Sequence, residues 1–165
     1  MYRFLKALLF IVFTAVSIES CNNETPKINF GKDMCAFCKM TVIDEKFGAL
    51  LINNKGKTLY FDCCECMVNY MKMDKDFHPE KILTIDYCNP RILIDAEKAH
   101  YLHGENIKSP MGGNIASFKT SEDAERFQKS LQGDLILWNK VEVLKKIKLI
   151  PPALVAVIVS ILLKG

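Results

Sequence analysis

The alternation of apolar and polar positions predicts a β-β-α-β order in the first half of the chain. Strands are predicted at residues 41–43, 47–52, 57–61 and 82–85. The run at 53–56, Asn-Asn-Lys-Gly, is a turn signal between two of them. Asp62 is predicted to cap a helix that runs from about residue 63 to residue 72.

The second half repeats this order more weakly. Strands are predicted at residues 91–94, 115–118 and 135–138, with a short helix or turn at 95–99. Ser121 is predicted to cap a helix in which Ala124, Phe127 and Leu131 recur at helical spacing, and Gly133 ends it. We therefore expect an α+β fold of tandem β-β-α-β units packed together, at residues 31–89 and 90–146.

The start of the chain has the pattern of an export signal. Arg3 and Lys6 precede an uncharged, largely apolar run at residues 7–18, and Ser20-Cys21 follows it. This pattern resembles a bacterial lipobox, although Glu19 is an unusual residue for one. We expect a lipoprotein-type signal peptide at 1–20, lipid on Cys21, and a polar tether at 21–30. The alternatives are an uncleaved anchor or a signal peptide that is cleaved elsewhere.

The end of the chain, residues 147–165, is an apolar tail. Its apolar run covers only residues 153–163, whereas a membrane-spanning helix needs about 20 apolar residues. The tail either lies on the membrane surface or on the folded protein, or it forms a second, thin membrane anchor.

Charge and the residue pattern argue against two functional classes, nucleic-acid-binding proteins and enzymes. The chain has 165 residues, is 50% apolar and carries a net charge of +3, which fits a small globular unit. No Lys/Arg-rich run lies beside aromatic residues, so nucleic-acid binding is not expected. No nucleophile–base pair or acid–base pair of carboxylates stands out, so the chain is not expected to be an enzyme.

The most informative motif is Cys35-Ala36-Phe37-Cys38-Lys39-Met40. Two thiols and a thioether within six residues form a set of soft ligands, which favours Cu(I). Cys63 and Cys66, three apart at the predicted helix start, could extend this site or form a second one. His100 and His103 are secondary candidates that could approach Met111 on the next predicted loop.

Two other uses of the cysteines stay open. The chain has seven cysteines, so six remain if Cys21 is lipidated, and an even number permits a disulfide framework. Alternatively, two cysteine pairs give the ligand count of a tetrahedral Zn(II) site; the four are Cys35, Cys38, Cys63 and Cys66. A thioredoxin-like redox use is disfavoured because Met40 leads directly into a predicted strand.

Five motifs in one order resemble the NosL family of accessory lipoproteins, over roughly residues 21–141. They are Cys35-x-x-Cys38-x-Met40, Phe61-Asp62 with Cys66-Met67 and Tyr70, Ile94-Asp95-Ala96-x-x-Ala99-x-Tyr101, Pro110-Met111-Gly112, and Ala124-x-x-Phe127.

The resemblance implies a lipid-anchored Cu(I)-binding protein on the periplasmic side of a bacterial membrane. It also implies tandem β-β-α-β units and a role in assembling the copper centres of nitrous oxide reductase. The reductase or its maturation transporter is the implied partner. Cys38 and Met40 are the implied ligands, with Cys35 and Met111 as further candidates. We add Cys66, and as secondary candidates Cys63, His100 and His103. The thiols of Cys63 and Cys64 and the apolar tail depart from the family.

Overall fold

The structure is a computed structural model that describes residues 26–141. The first sheet has the strand order β2-β1-β3-β4 and consists of β1 (Ala49–Asn53), β2 (Thr58–Phe61), β3 (Pro79–Ile85) and β4 (Leu93–Asp95). The second has the order β6-β5-β7 and consists of β5 (His100–Gly104), β6 (Ile115–Phe118) and β7 (Gly133–Ile136). The helices are α1 (Cys64–Met73) and α2 (Ser121–Leu131).

The two halves share one topology. The first runs β1-β2-α1-β3 and the second runs β5-β6-α2-β7, and in each the first strand lies between the other two. All pairings are antiparallel. The expected α+β fold of tandem β-β-α-β units is confirmed, and β4 is an added edge strand of the first sheet.

Several strand predictions were wrong. The strand expected to open the second unit at 91–94 is β4, which pairs with β3 of the first sheet. The strand that does open the second unit is β5, where no strand was predicted. Residues 41–43 form no regular strand, since only an isolated bridge joins Met34 to Thr41. The last strand ends at Ile136, before the predicted 138.

The N-cap of each helix lies one residue from its predicted position. Cys63, not Asp62, is the N-cap of α1, and its side chain makes no capping hydrogen bond. Thr120, not Ser121, caps α2, and its hydroxyl accepts a hydrogen bond from the amide of Asp123. The first helix therefore begins one position later than its sequence suggests, which sets the direction of each of its cysteines.

Buried polar groups join the two sheets. The hydroxyl oxygens of Thr84 in β3 and Ser117 in β6 lie 2.9 Å apart. The Ser117 hydroxyl donates to the carbonyl of Ile85 at 2.8 Å, and the amide of Tyr87 donates to the Ser117 carbonyl at 2.8 Å. Because buried polar groups are costly to leave unpaired, these bonds fix one register between the sheets.

The ring of Tyr87 fills the space beside this junction. It packs against Phe47 of the first half at 5.6 Å between ring centroids. It also packs against Phe118 and Phe127 of the second half, at 5.5 and 5.7 Å. Aromatic contacts of this kind add to the area that each ring buries, so both halves share one core.

The predicted signal peptide, the lipidation site at Cys21, the first half of the tether and the apolar tail lie outside the described residues. Within residues 26–141, no helix is long and apolar enough to cross a membrane.

Candidate metal centre

A tight loop holds the first two thiols of the site. The amide of Cys35 donates to the carbonyl of Met40 at 2.8 Å, and the amide of Lys39 donates back to the Cys35 carbonyl at 3.0 Å. Lys39 has a φ of 63°, a left-handed conformation that reverses the chain. Cys38 therefore turns back towards Cys35, and its amide lies 3.5 Å from the Cys35 sulfur.

The third thiol comes from the start of α1. Backbone bonding fixes the loop to the first sheet, since the amide of Ala36 donates to the carbonyl of Tyr60 in β2 at 2.8 Å. The chain leaves β2 and enters α1 within three residues, which places Cys66 beside the loop. The sulfurs of Cys35, Cys38 and Cys66 all lie within 4.8 Å of one another. Three thiols at this separation could hold one metal ion.

The surroundings of the three thiols favour one thiolate. The hydrogen bond from the Cys66 thiol, helped by backbone amides of Cys38, Asp62 and Phe37, outweighs burial and lowers the pKa of Cys35 to about 5. The same bond to Cys35 raises the pKa of Cys66, and burial raises that of Cys38. The cluster is thus prepared to hold a charged sulfur next to a cation.

A buried carboxyl group beside the cluster responds to this charge. Burial, and then the negative charge of Cys35, raise the pKa of Asp62 to about 6. The Asp62 side chain is buried at the junction between β2 and α1.

Exposure distinguishes the members of the cluster. Cys35 and Cys66 are fully buried, whereas Cys38 is partly exposed. Met40 lies on the same loop with 53% of its surface exposed. Cys38 is therefore the thiol through which an ion in the cluster could be reached from solution.

The two other cysteines at the start of α1, Cys63 and Cys64, take different positions. Cys63 lies close enough to Cys66 for that thiol to influence its pKa, but Cys63 is not in the group of three mutually close sulfurs. Cys64 directs its thiol to the carboxylate of Glu65 at 3.4 Å. All six cysteines of residues 26–141 are free thiols, so this part of the chain contains no disulfide.

The histidines do not join the cluster. His100 and His103 lie on β5, not in a loop, and residues three apart on a strand point to opposite faces. Neither belongs to the group of close metal-binding side chains found among the described residues.

Met111 lies in the loop at 105–114, between β5 and β6, and packs partly buried against the core. This loop contacts Glu65 in the first turn of α1. Sequence reasoning did not single out Glu65, because an acidic residue in a helix start is most often solvent-exposed.

The fold and the cluster define a small α+β protein of two β-β-α-β units with a sulfur-based candidate metal site. The chain belongs to the NosL family, whose family model matches residues 28–143. The resemblance drawn from the five motifs is thereby confirmed.

A solved structure shows the same fold. The crystal structure of the copper chaperone NosL from Shewanella denitrificans matches this chain with a TM-score of 0.58 at 21% identity. The match covers 70% of this chain and 93% of that one. No curated protein matches the chain at a significant level.

Proposed function

We propose that this protein is a Cu(I) chaperone. The observation that carries the proposal is the group of three cysteine sulfurs within 4.8 Å of one another, in a chain of the NosL family. Thiolates and thioethers select Cu(I) over harder metal ions. The similar solved structure is that of a copper chaperone, which supports the same function.

The shape of the site supports transfer rather than storage. Cys35 and Cys66 would hold the ion on its buried side, while Cys38 is partly exposed. Met40 and Met111 are the thioethers that we propose complete the ligand set. A Cu(I) ion held by a few sulfurs near the surface can pass to a partner by exchange of one ligand at a time, so no enzymatic group is needed.

The partner we propose is nitrous oxide reductase or its maturation transporter. The family resemblance supports this partner, and the partial exposure of Cys38 is compatible with it. The direct test mixes the Cu(I)-loaded protein with copper-free nitrous oxide reductase and measures copper in the separated proteins. Retention of all copper by this chain, in the presence and absence of the transporter, would count against both partners.

A structural Zn(II) site is the second candidate, favoured by the position of Cys63, a fourth cysteine that is buried at the N-cap of the helix carrying Cys66. Replacing Met40 with leucine separates the candidates. We expect Met40→Leu to weaken Cu(I) binding clearly and to leave Zn(II) binding unchanged, because Zn(II) sites do not use thioethers. Titration of the full chain, reduced and in detergent, against a Cu(I) chelator and a Zn(II) chelator measures both.

The matched control for this titration is Met73→Leu, a methionine that is also exposed but lies at the end of α1. Tight Zn(II) binding that depends on all four cysteines, with no effect of Met40→Leu on Cu(I), would support the structural zinc site instead.

We also propose that lipid on Cys21 anchors the protein to the periplasmic side of the membrane. Cys21→Ala is expected to prevent lipidation and signal cleavage, because the cysteine supplies both the lipid attachment site and the new N-terminus. Gel mobility and membrane fractionation measure the effect, with Cys88→Ala as the control. Unchanged size and unchanged membrane retention would instead point to an uncleaved leader or to the C-terminal tail.

A further inference from the structure

Glu65 is a buried carboxylate that links the two halves of the molecule. It lies in the first turn of α1, directly before Cys66 of the thiol cluster. Its carboxylate accepts a hydrogen bond from the hydroxyl of Ser109 at 2.5 Å, although Ser109 is 44 residues further along the chain. The thiol of Cys64 donates to its other oxygen at 3.4 Å.

Ser109 also shapes the loop that carries Met111. Its carbonyl accepts from the amide of Gly112 at 2.9 Å, and its hydroxyl oxygen accepts from the amide of Asn114 at 2.9 Å. Gly112 has a φ of 64°, which suits glycine and closes the turn. Met111 therefore projects from a turn whose shape and position depend on the same hydroxyl group that binds Glu65.

The loop also rests directly on Glu65 at its other end. A Cβ atom on Gly113 would lie 2.5 Å from both Cγ and Oε1 of Glu65, closer than such atoms approach in proteins. Only glycine allows the backbone to lie this close to the carboxylate side chain. Glu65 thus contacts the loop on both sides of Met111.

We propose that Glu65 is a positioning residue for copper binding, which holds the loop at 109–114 so that Met111 meets the ion bound by the thiol cluster. The inference rests on the proposed function, in which Met111 is a ligand. Glu65 precedes a member of the cluster and holds the loop from the other half, so one side chain sets the distance between thiols and thioether. Side chains that orient metal ligands typically change metal affinity by about 10–100-fold when they are replaced.

A double-mutant cycle tests this role, with Cu(I) affinity of the full-length reduced chain measured by chelator competition. We expect Glu65→Ala and Met111→Leu each to lower affinity about tenfold or more. Because Glu65 acts through Met111, Glu65→Ala should lower affinity less than about twofold further when Met111 is already leucine. Glu65→Gln, which keeps an oxygen acceptor for Ser109, should restore most of the affinity.

Ser109→Ala is the second variant, since it breaks the same contact from the loop side and should show the same dependence on Met111. An equal loss from Glu65→Ala in both backgrounds would mean that Glu65 acts on the thiols or on the fold, and would overturn the inference. No loss from Glu65→Ala, with a clear loss from Met111→Leu, would also overturn it while leaving the proposed function intact. No loss from Met111→Leu would show that Met111 is not a ligand. That result would overturn both the positioning role of Glu65 and the proposed ligand set.

Discussion

Cys66→Ser is expected to weaken Cu(I) binding by more than about 100-fold, beyond the range for side chains that only orient ligands. Cys66 is buried and its sulfur lies within 4.8 Å of those of Cys35 and Cys38. A serine hydroxyl can still donate to Cys35, so the fold should persist, but an oxygen is a poor ligand for Cu(I). Chelator competition measures the affinity, and thermal unfolding checks the fold.

Cys64→Ser is the matched control. Cys64 is also buried and lies two residues earlier on the same helix, but it directs its thiol to Glu65 and is outside the cluster. We expect the Cu(I) affinity of the Cys64→Ser variant to stay within about threefold of that of the unmodified protein. This change is smaller than the one caused by losing a side chain that orients a ligand. Similar losses from both serine variants would show that Cys66 acts by general packing and that the ion lies elsewhere.

The sequence predicted the cluster in part. Cys35 and Cys38 could be recognised because their spacing is local and the motif contains its own turn. Cys66 was included with Cys63, since residues three apart share one helix face. Which of the three cysteines at 63, 64 and 66 meets the loop depends on where α1 begins. That point is set by tertiary packing, because the N-cap Cys63 makes no side-chain capping bond that could be recognised in advance.

The order of the elements could also be predicted, because each β-β-α-β unit is built from local periodicity and turns. The pairing of β4 could not, since a three-residue strand carries too little pattern to show which sheet it joins. The strand β5 was missed because His100 and His103 interrupt its apolar residues. Its place as the central strand of the second sheet comes from long-range pairing with β6 and β7.

Glu65 shows a third limit of prediction from the sequence. Its burial depends on Ser109 and Gly113, which lie more than forty residues away and contact it only after both halves have packed together. No local pattern marks such a residue, because an acidic side chain in the first turn of a helix is also favoured by the helix dipole alone. The contact between the halves is therefore visible only in the folded structure.

Gly104→Ala is expected to lower the free energy of unfolding by about 2–3 kcal/mol, at the upper end of the usual cost of overpacking. A Cβ atom at this position would lie 2.7 Å from the Cα of Gly133, 2.8 Å from the carbonyl oxygen of Gln132 and 3.0 Å from that of Leu131. All three are backbone atoms, so no side chain can rotate away to make room. Gln132 is held in the left-handed cap of α2, which restricts movement of this segment further.

The facing glycine supplies the control for this prediction. Gly133 pairs with Gly104 across β5 and β7, but a Cβ atom on Gly133 would meet nothing closer than 3.3 Å, at the carbonyl oxygen of His103. Gly133→Ala should therefore cost less than about 1 kcal/mol, mainly from small backbone adjustments. Urea unfolding of both variants measures the difference. Equal losses would show that the two strands separate easily at this end, and that the close approach at Gly104 does not limit which residue can occupy it.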